Sequence, residues 1–118
     1  MNKAEFIEQY TAFIKRVLPI ADKARREGLL SLGDILEEEN VNARDIFEYG
    51  LSFVVDGVAP EIIDKVLSNI IAQEQDAFLC IYKAIQREAV MGIQCGYNSK
   101  TLYFILNSLT DIPLKGEL

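Results

Sequence analysis

Apolar residues at Phe6, Ile7, Tyr10, Phe13, Ile14, Val17 and Leu18 recur three and four apart, the spacing of an amphipathic helix over residues 4–18 with one buried face. Pro19 removes a backbone donor and crowds the preceding turn, which predicts a kink or break near Leu18 and a second helix from Ile20 to about Glu37. Leu29, Leu30, Leu32 and Leu36 give that second helix its apolar stripe, core by default and open in part to another protomer. Gly28 and Gly33 each cost a helix about 1 kcal/mol relative to alanine, so a glycine kept there points to close packing. Glu37, Glu38 and Glu39 stand where the helix dipole disfavours negative charge, which marks a helix stop or a displayed acidic patch. Asn42 reads as an N-cap with Asp45 as its acidic partner, opening a third helix that turns Ile46, Phe47, Leu51, Val54 and Val55 inward and ends at Asp56-Gly57.

Pro60 fits the first turn of a helix, where a missing N–H costs nothing. Beyond it, Ile62, Ile63, Val66, Leu67, Ile70, Ile71, Ala77, Phe78, Ile81, Ile85, Ala89 and Ile93 keep helical spacing, with the polar run Gln73-Glu74-Gln75-Asp76 between the two groups. A continuous helix over residues 60–94 would be about 50 Å long. Gly96 would stop it, and Asn98 would cap a last helix over residues 100–109 before Pro113. The period-two alternation of strands is absent, and no internal repeat or low-complexity linker divides the chain. The expected fold is therefore all-α: an irregular bundle of four to five helices with one long central helix, a single domain over residues 1–118.

The chain's 118 residues are half apolar and a quarter charged, the composition of a folded domain. A net charge of −6 argues against nonspecific nucleic-acid binding and against anionic membrane surfaces. The basic cluster Lys23, Arg25, Arg26 is interleaved with Asp22 and Glu27 and has no aromatic neighbour on which a base could stack. No uncharged apolar run reaches the roughly 18 to 20 residues of a membrane span, and no leader pattern opens the chain, so it is expected to be soluble and intracellular. Cys80 and Cys95 on one helix would stand about 22 Å apart, beyond disulfide reach, and read as reduced thiols.

Catalytic chemistry finds little to work with. There is no histidine, and two cysteines without histidine make neither a zinc site nor a nucleophile pair. No glycine-rich phosphate loop and no calcium loop is present, and the carboxylates Asp34, Glu37, Glu38 and Glu39 lack a second ligand set. The expectation is a protein that is not an enzyme and that binds no cofactor or metal.

Two boxes carry a more specific signal: Ala24-Arg25-Arg26-Glu27-Gly28-Leu29-Leu30-Ser31-Leu32, and later Val54-Val55-Asp56-Gly57. In order and spacing they resemble the cytoplasmic loop of MotA-type flagellar motor stator proteins, over residues 20–72. A third stretch, Ala84-Ile85-Gln86-Arg87 through Gly96-Tyr97-Asn98-Ser99 with Leu102 and Leu106, resembles the cytoplasmic C-terminal tail of the same family, over residues 75–113. Ser99 replaces the family's proline, and Gly33 stands where the family has glutamate. Full-length members are inner-membrane proteins whose loop and tail are separated by two membrane-spanning helices, with two more before the loop. This chain has neither pair, and so resembles a cytoplasmic domain without its channel.

The resemblance implies a non-enzymatic, cytoplasmic interaction module that engages the rotor switch protein, through a FliG-like C-terminal domain, to transmit torque or regulate the motor. Other stator components or a weak homo-oligomer are further implied partners. The residues implied to carry the contact are Arg25, Arg26, Asp34 and Glu37, with Asp34 or Glu37 supplying the acid that Gly33 does not. The alternative is a soluble helical adaptor that binds a partner helix through the apolar stripe, with the charges as a solvated face.

Overall fold

The aromatic residues of the first helix set the packing. In the computed structural model, which describes residues 1–38 and 45–116, α1 spans Lys3–Glu27 and buries Phe6, Tyr10, Phe13, Ile14, Val17, Ala21 and Ala24 on one stripe. A 3₁₀ turn at Leu29–Ser31 follows, then α2 (Leu32–Glu38), α3 (Ile46–Val55), α4 (Pro60–Ile71), α5 (Ala77–Cys95) and α6 (Ser99–Asn107). The described residues are all-α, as the periodicity predicts, but the helices divide differently in three places.

First, α1 continues through Pro19, where a kink or break is expected, so the helix does not end there. Pro19 and Lys15, the residue whose carbonyl loses its partner, are both exposed, so water can satisfy that carbonyl while the buried stripe continues unbroken beneath. The expected helix from Ile20 to Glu37 is interrupted instead at Gly28, whose φ of +88° only glycine adopts without strain. A Cβ built there would meet nothing within 4 Å, so this glycine serves a turn and not the close packing expected of it.

Second, the long central helix is two helices. The Asp76 carboxylate accepts from the Leu79 N–H at 2.9 Å and caps α5. The Glu74 carboxylate accepts from the N–H groups of Gln75 and Asp76, each at 3.0 Å, and takes the Lys83 ammonium at 2.7 Å. These side chains satisfy backbone donors that a continuous helix would have used, so the chain turns back there. Third, Asp45 is itself the N-cap of α3, accepting from Phe47 N at 3.0 Å and Glu48 N at 3.3 Å. The expected cap Asn42, like Glu39, lies outside the described residues.

α5, nineteen residues and about 28 Å long, is the element against which α1, α3, α4 and α6 all pack. Phe6 meets Phe78 at 5.4 Å and Phe13 meets Tyr82 at 5.9 Å, so α1 and α5 run in the same direction. Gln86 reaches Asp45 at 3.4 Å, and a Cβ on Gly50 would lie 2.7 Å from Val90, so α3 runs with them. Phe13 stands edge-on to Phe47 at 5.1 Å and completes this three-helix seam.

The return helices run the other way. Arg87 donates to Ser68 at 3.0 Å and Lys83 to Glu74, which sets α4 antiparallel to α5. Ser99 N–H donates to Asp22 at 3.1 Å and the Tyr10 hydroxyl to Asn107 at 2.9 Å, which sets α6 antiparallel to α1. One apolar cluster takes buried residues from all six helices, and the Cα radius of gyration is 13.5 Å, about the value of a compact chain of this length.

Candidate functional site: one end of the bundle

Because α1, α3 and α5 are parallel, their C-termini share one end of the molecule. Each helix leaves through a glycine of positive φ: Gly28 at +88°, Gly57 at +76° and Gly96 at +81°. At Gly57 and Gly96 the exit is a Schellman turn, with Val58 N–H on Phe53 O at 3.0 Å and Tyr97 N–H on Gly92 O at 3.1 Å. Each of the three stretches singled out in the sequence contains one of these glycines. Residues far apart in the chain therefore converge on a single face.

Arg25 and Arg26 occupy the last turn of α1 and are exposed. Their charges sit where the α1 dipole favours cations. Asp34 is exposed in the first turn of α2, where the dipole favours a carboxylate, and a Cβ built on Gly33 would lie 4.0 Å from Val55 near the C-terminus of α3. Glu37 is carried by the α2 backbone, and its side chain lies outside the described residues. Among the described residues, the side chains of Arg25, Arg26 and Asp34 form no hydrogen bond or ion pair. The bundle end thus displays two cations and a carboxylate toward solvent.

The leucine stripe divides. Leu32 is fully buried, Leu29 and Leu36 are half-buried against the core, and Leu30 is 78% exposed. Tyr97, just past Gly96, is 41% exposed. A helical period running through Gly28 would put Leu30 with the core; the turn at that glycine rotates Leu30 outward. These two side chains give the charged end an apolar element that periodicity did not reveal.

A second polar group lies deeper, between α1, α3 and α5. Arg16 pairs with Glu48 at 3.2 Å and lies over the Phe47 ring, 5.3 Å from its centroid. Asp45 and the buried Gln86 join beside Tyr82, whose phenol is pushed up to about 12, mainly by burial and further by the Asp45 carboxylate, with Arg16 opposing. These contacts lie within the fold and tie α1, α3 and α5 to one another. Among the described residues no cluster of His, Cys, Asp or Glu is arranged to hold a metal ion, and Cys80 and Cys95 are free thiols on α5.

Over 65 residues, 55% of its length, the chain is 42% identical to Motility protein A of Borreliella burgdorferi, a MotA-like relationship in sequence. The match spans 24% of that protein, so the chain covers about a quarter of the length of the curated relative it matches. No protein-family model and no solved structure matches the chain.

Proposed function

We propose that this chain is a flagellar stator-like interaction module, with residues 20–72 and 75–113 corresponding to a stator's cytoplasmic loop and tail folded as one unit. In this reading the glycine-turned end of the bundle meets the C-terminal domain of a rotor switch protein. Arg25, Arg26, Asp34 and Glu37 supply the charge recognition, and Leu30 and Tyr97 an apolar contact beside it. The observation that carries the reading is the convergence of three separate stretches on one end, with Arg25, Arg26 and Asp34 exposed around it.

The polarity of the bundle agrees. A stator's spans would join the chain before α1 and between α4 and α5. The amino group of Met1 lies against the Asp76 carboxylate, so both joins stand together at the end opposite Arg25. Charged recognition would then project away from the membrane, and ion conduction would belong to spans outside these helices. Among the described residues no helix is long and apolar enough to cross a membrane. The module is accordingly read as a motor component with no catalytic step of its own.

Exposure of Leu30 favours a second reading, an adaptor that captures a partner helix by apolar contact. Ionic strength separates the two. Titration against the rotor switch C-terminal domain at two salt concentrations is expected to show affinity falling steeply with salt, and Arg25→Glu weakening it by about five- to tenfold. Binding indifferent to both salt and Arg25→Glu would favour the adaptor, and no binding by a folded sample would refute the motor reading.

A further inference from the structure

Residues 110–116 follow α6 without regular secondary structure and return along α1. Both polar ties to α1 come from one residue: the Lys115 N–H donates to Thr11 Oγ1 at 3.0 Å, and the Lys115 ammonium pairs with Glu8. Ile112 and Leu114 rest half-buried on the core. Two cavities border the segment. One, of about 650 Å³, is lined by Leu18, Lys100, Tyr103 and Asn107 together with Pro113 and Leu114; the other, of about 340 Å³, by Glu8, Thr11, Ala12, Lys15 and Lys115.

We propose that residues 110–116 are a displaceable strap, latched by the Lys115–Glu8 pair, whose release opens the groove between α1 and α6. The helices around it are joined by interlocking buried side chains, but the strap has open space along two of its borders and so lacks the close packing that fixes a core element. Its ion pair is about two-thirds exposed on both side chains, 67% and 62%, where salt screens it and an exposed pair contributes little. Thr11 is 6% exposed and bonded to the strap, which makes the closed form the resting one. On release, its hydroxyl can turn to the carbonyl one helical turn back, so opening strands no donor. The closed strap is the wall of the larger cavity at Pro113 and Leu114; once it lifts, the Tyr103 ring and Leu18 form the floor of an open groove.

Amide hydrogen exchange by NMR on the full chain tests this. Lys115→Gln, Glu8→Gln and raised salt are each expected to speed exchange at the Lys115 amide by about two- to fivefold, the range an exposed ion pair supports, with the Val90 amide of α5 unchanged. Glu8→Lys with Lys115→Glu is expected to restore the native rate, and the Tyr103 ring signal to shift in step with the Lys115 amide. Exchange at Lys115 that matches Val90, or that ignores salt and both single variants, would overturn the strap. A Tyr103 signal indifferent to all of them would overturn its cover of the groove.

Discussion

Tyr82 shows how a single side chain can report the packing of three helices. Burial and the Asp45 carboxylate disfavour its phenolate, so in the fold it ionises only near pH 12 against 10 for the free side chain. The unfolded chain loses that proton first. Tyr82 therefore contributes stability that is complete below about pH 10 and is lost as pH rises toward 12. The difference between the phenolate absorbance titrations of the native chain and Tyr82→Phe is expected to centre near pH 12, and the variant to lose less thermal stability between pH 10 and 12. A difference curve centred near 10 would contradict the buried contact.

Gly50 makes a second residue-scale test, because a Cβ there would lie 2.7 Å from a Val90 methyl and 3.1 Å from Leu67. Overpacking of this kind costs about 1–3 kcal/mol and outweighs the roughly 1 kcal/mol helix-propensity gain of alanine. Gly50→Ala should lower the urea midpoint. Gly33→Ala, with only Val55 at 4.0 Å, should leave it unchanged or raise it. Neither Tyr82 nor Gly50 stood out in the sequence, since Asp45 and Val90 approach them from about 40 residues away along the chain, and no local pattern records such a meeting.

Among elements, the ends written in local chemistry were legible. Asp56-Gly57 closes α3, Pro60 opens α4, Gly96 closes α5 and Asn98 caps α6 through the Thr101 N–H at 2.8 Å. Each depends on one or two residues acting on their own backbone. The misread boundaries depended on more. At Pro19 the apolar stripe is continuous because the helix is, and the cost of proline falls on an exposed face. At Gln73–Asp76 the apolar spacing keeps its phase across a turn that only the capping carboxylates reveal. Asp76→Ala, which leaves the first turn of α5 uncapped, is expected to cost about 1 kcal/mol in urea unfolding. A larger loss than for Asn98→Ala is expected as well, because Asp76 holds the turn of the central hairpin and Asn98 an outer helix. Equal or negligible losses would mean that the turn is fixed by packing alone.

At the scale of the molecule, the alternation of helix direction matters more than any one contact. It sends three glycine exits, two arginines and Asp34 to one end and gathers Met1 and the α4–α5 turn at the other. The charged candidates could be chosen from the sequence because the Ala24–Leu32 box that holds Arg25 and Arg26 resembles the stator loop, even with Gly28 read as mid-helix. That they share an end with Tyr97 could not, because it follows from α1, α3 and α5 lying parallel, a fact of tertiary pairing. Leu30 joins them only through the turn at Gly28. The stator-like reading therefore rests on an arrangement as well as on a sequence likeness.

The most direct test of that arrangement is to map amide chemical-shift changes on this chain as the C-terminal domain of a rotor switch protein is added at low salt. Shifts are expected to concentrate at Arg25, Arg26, Leu30, Asp34, Asp56 and Tyr97 and to fade with added salt, with Met1 and Glu74 at the far end unmoved. Shifts centred on the α4–α5 turn, or spread evenly with no dependence on salt, would contradict that arrangement.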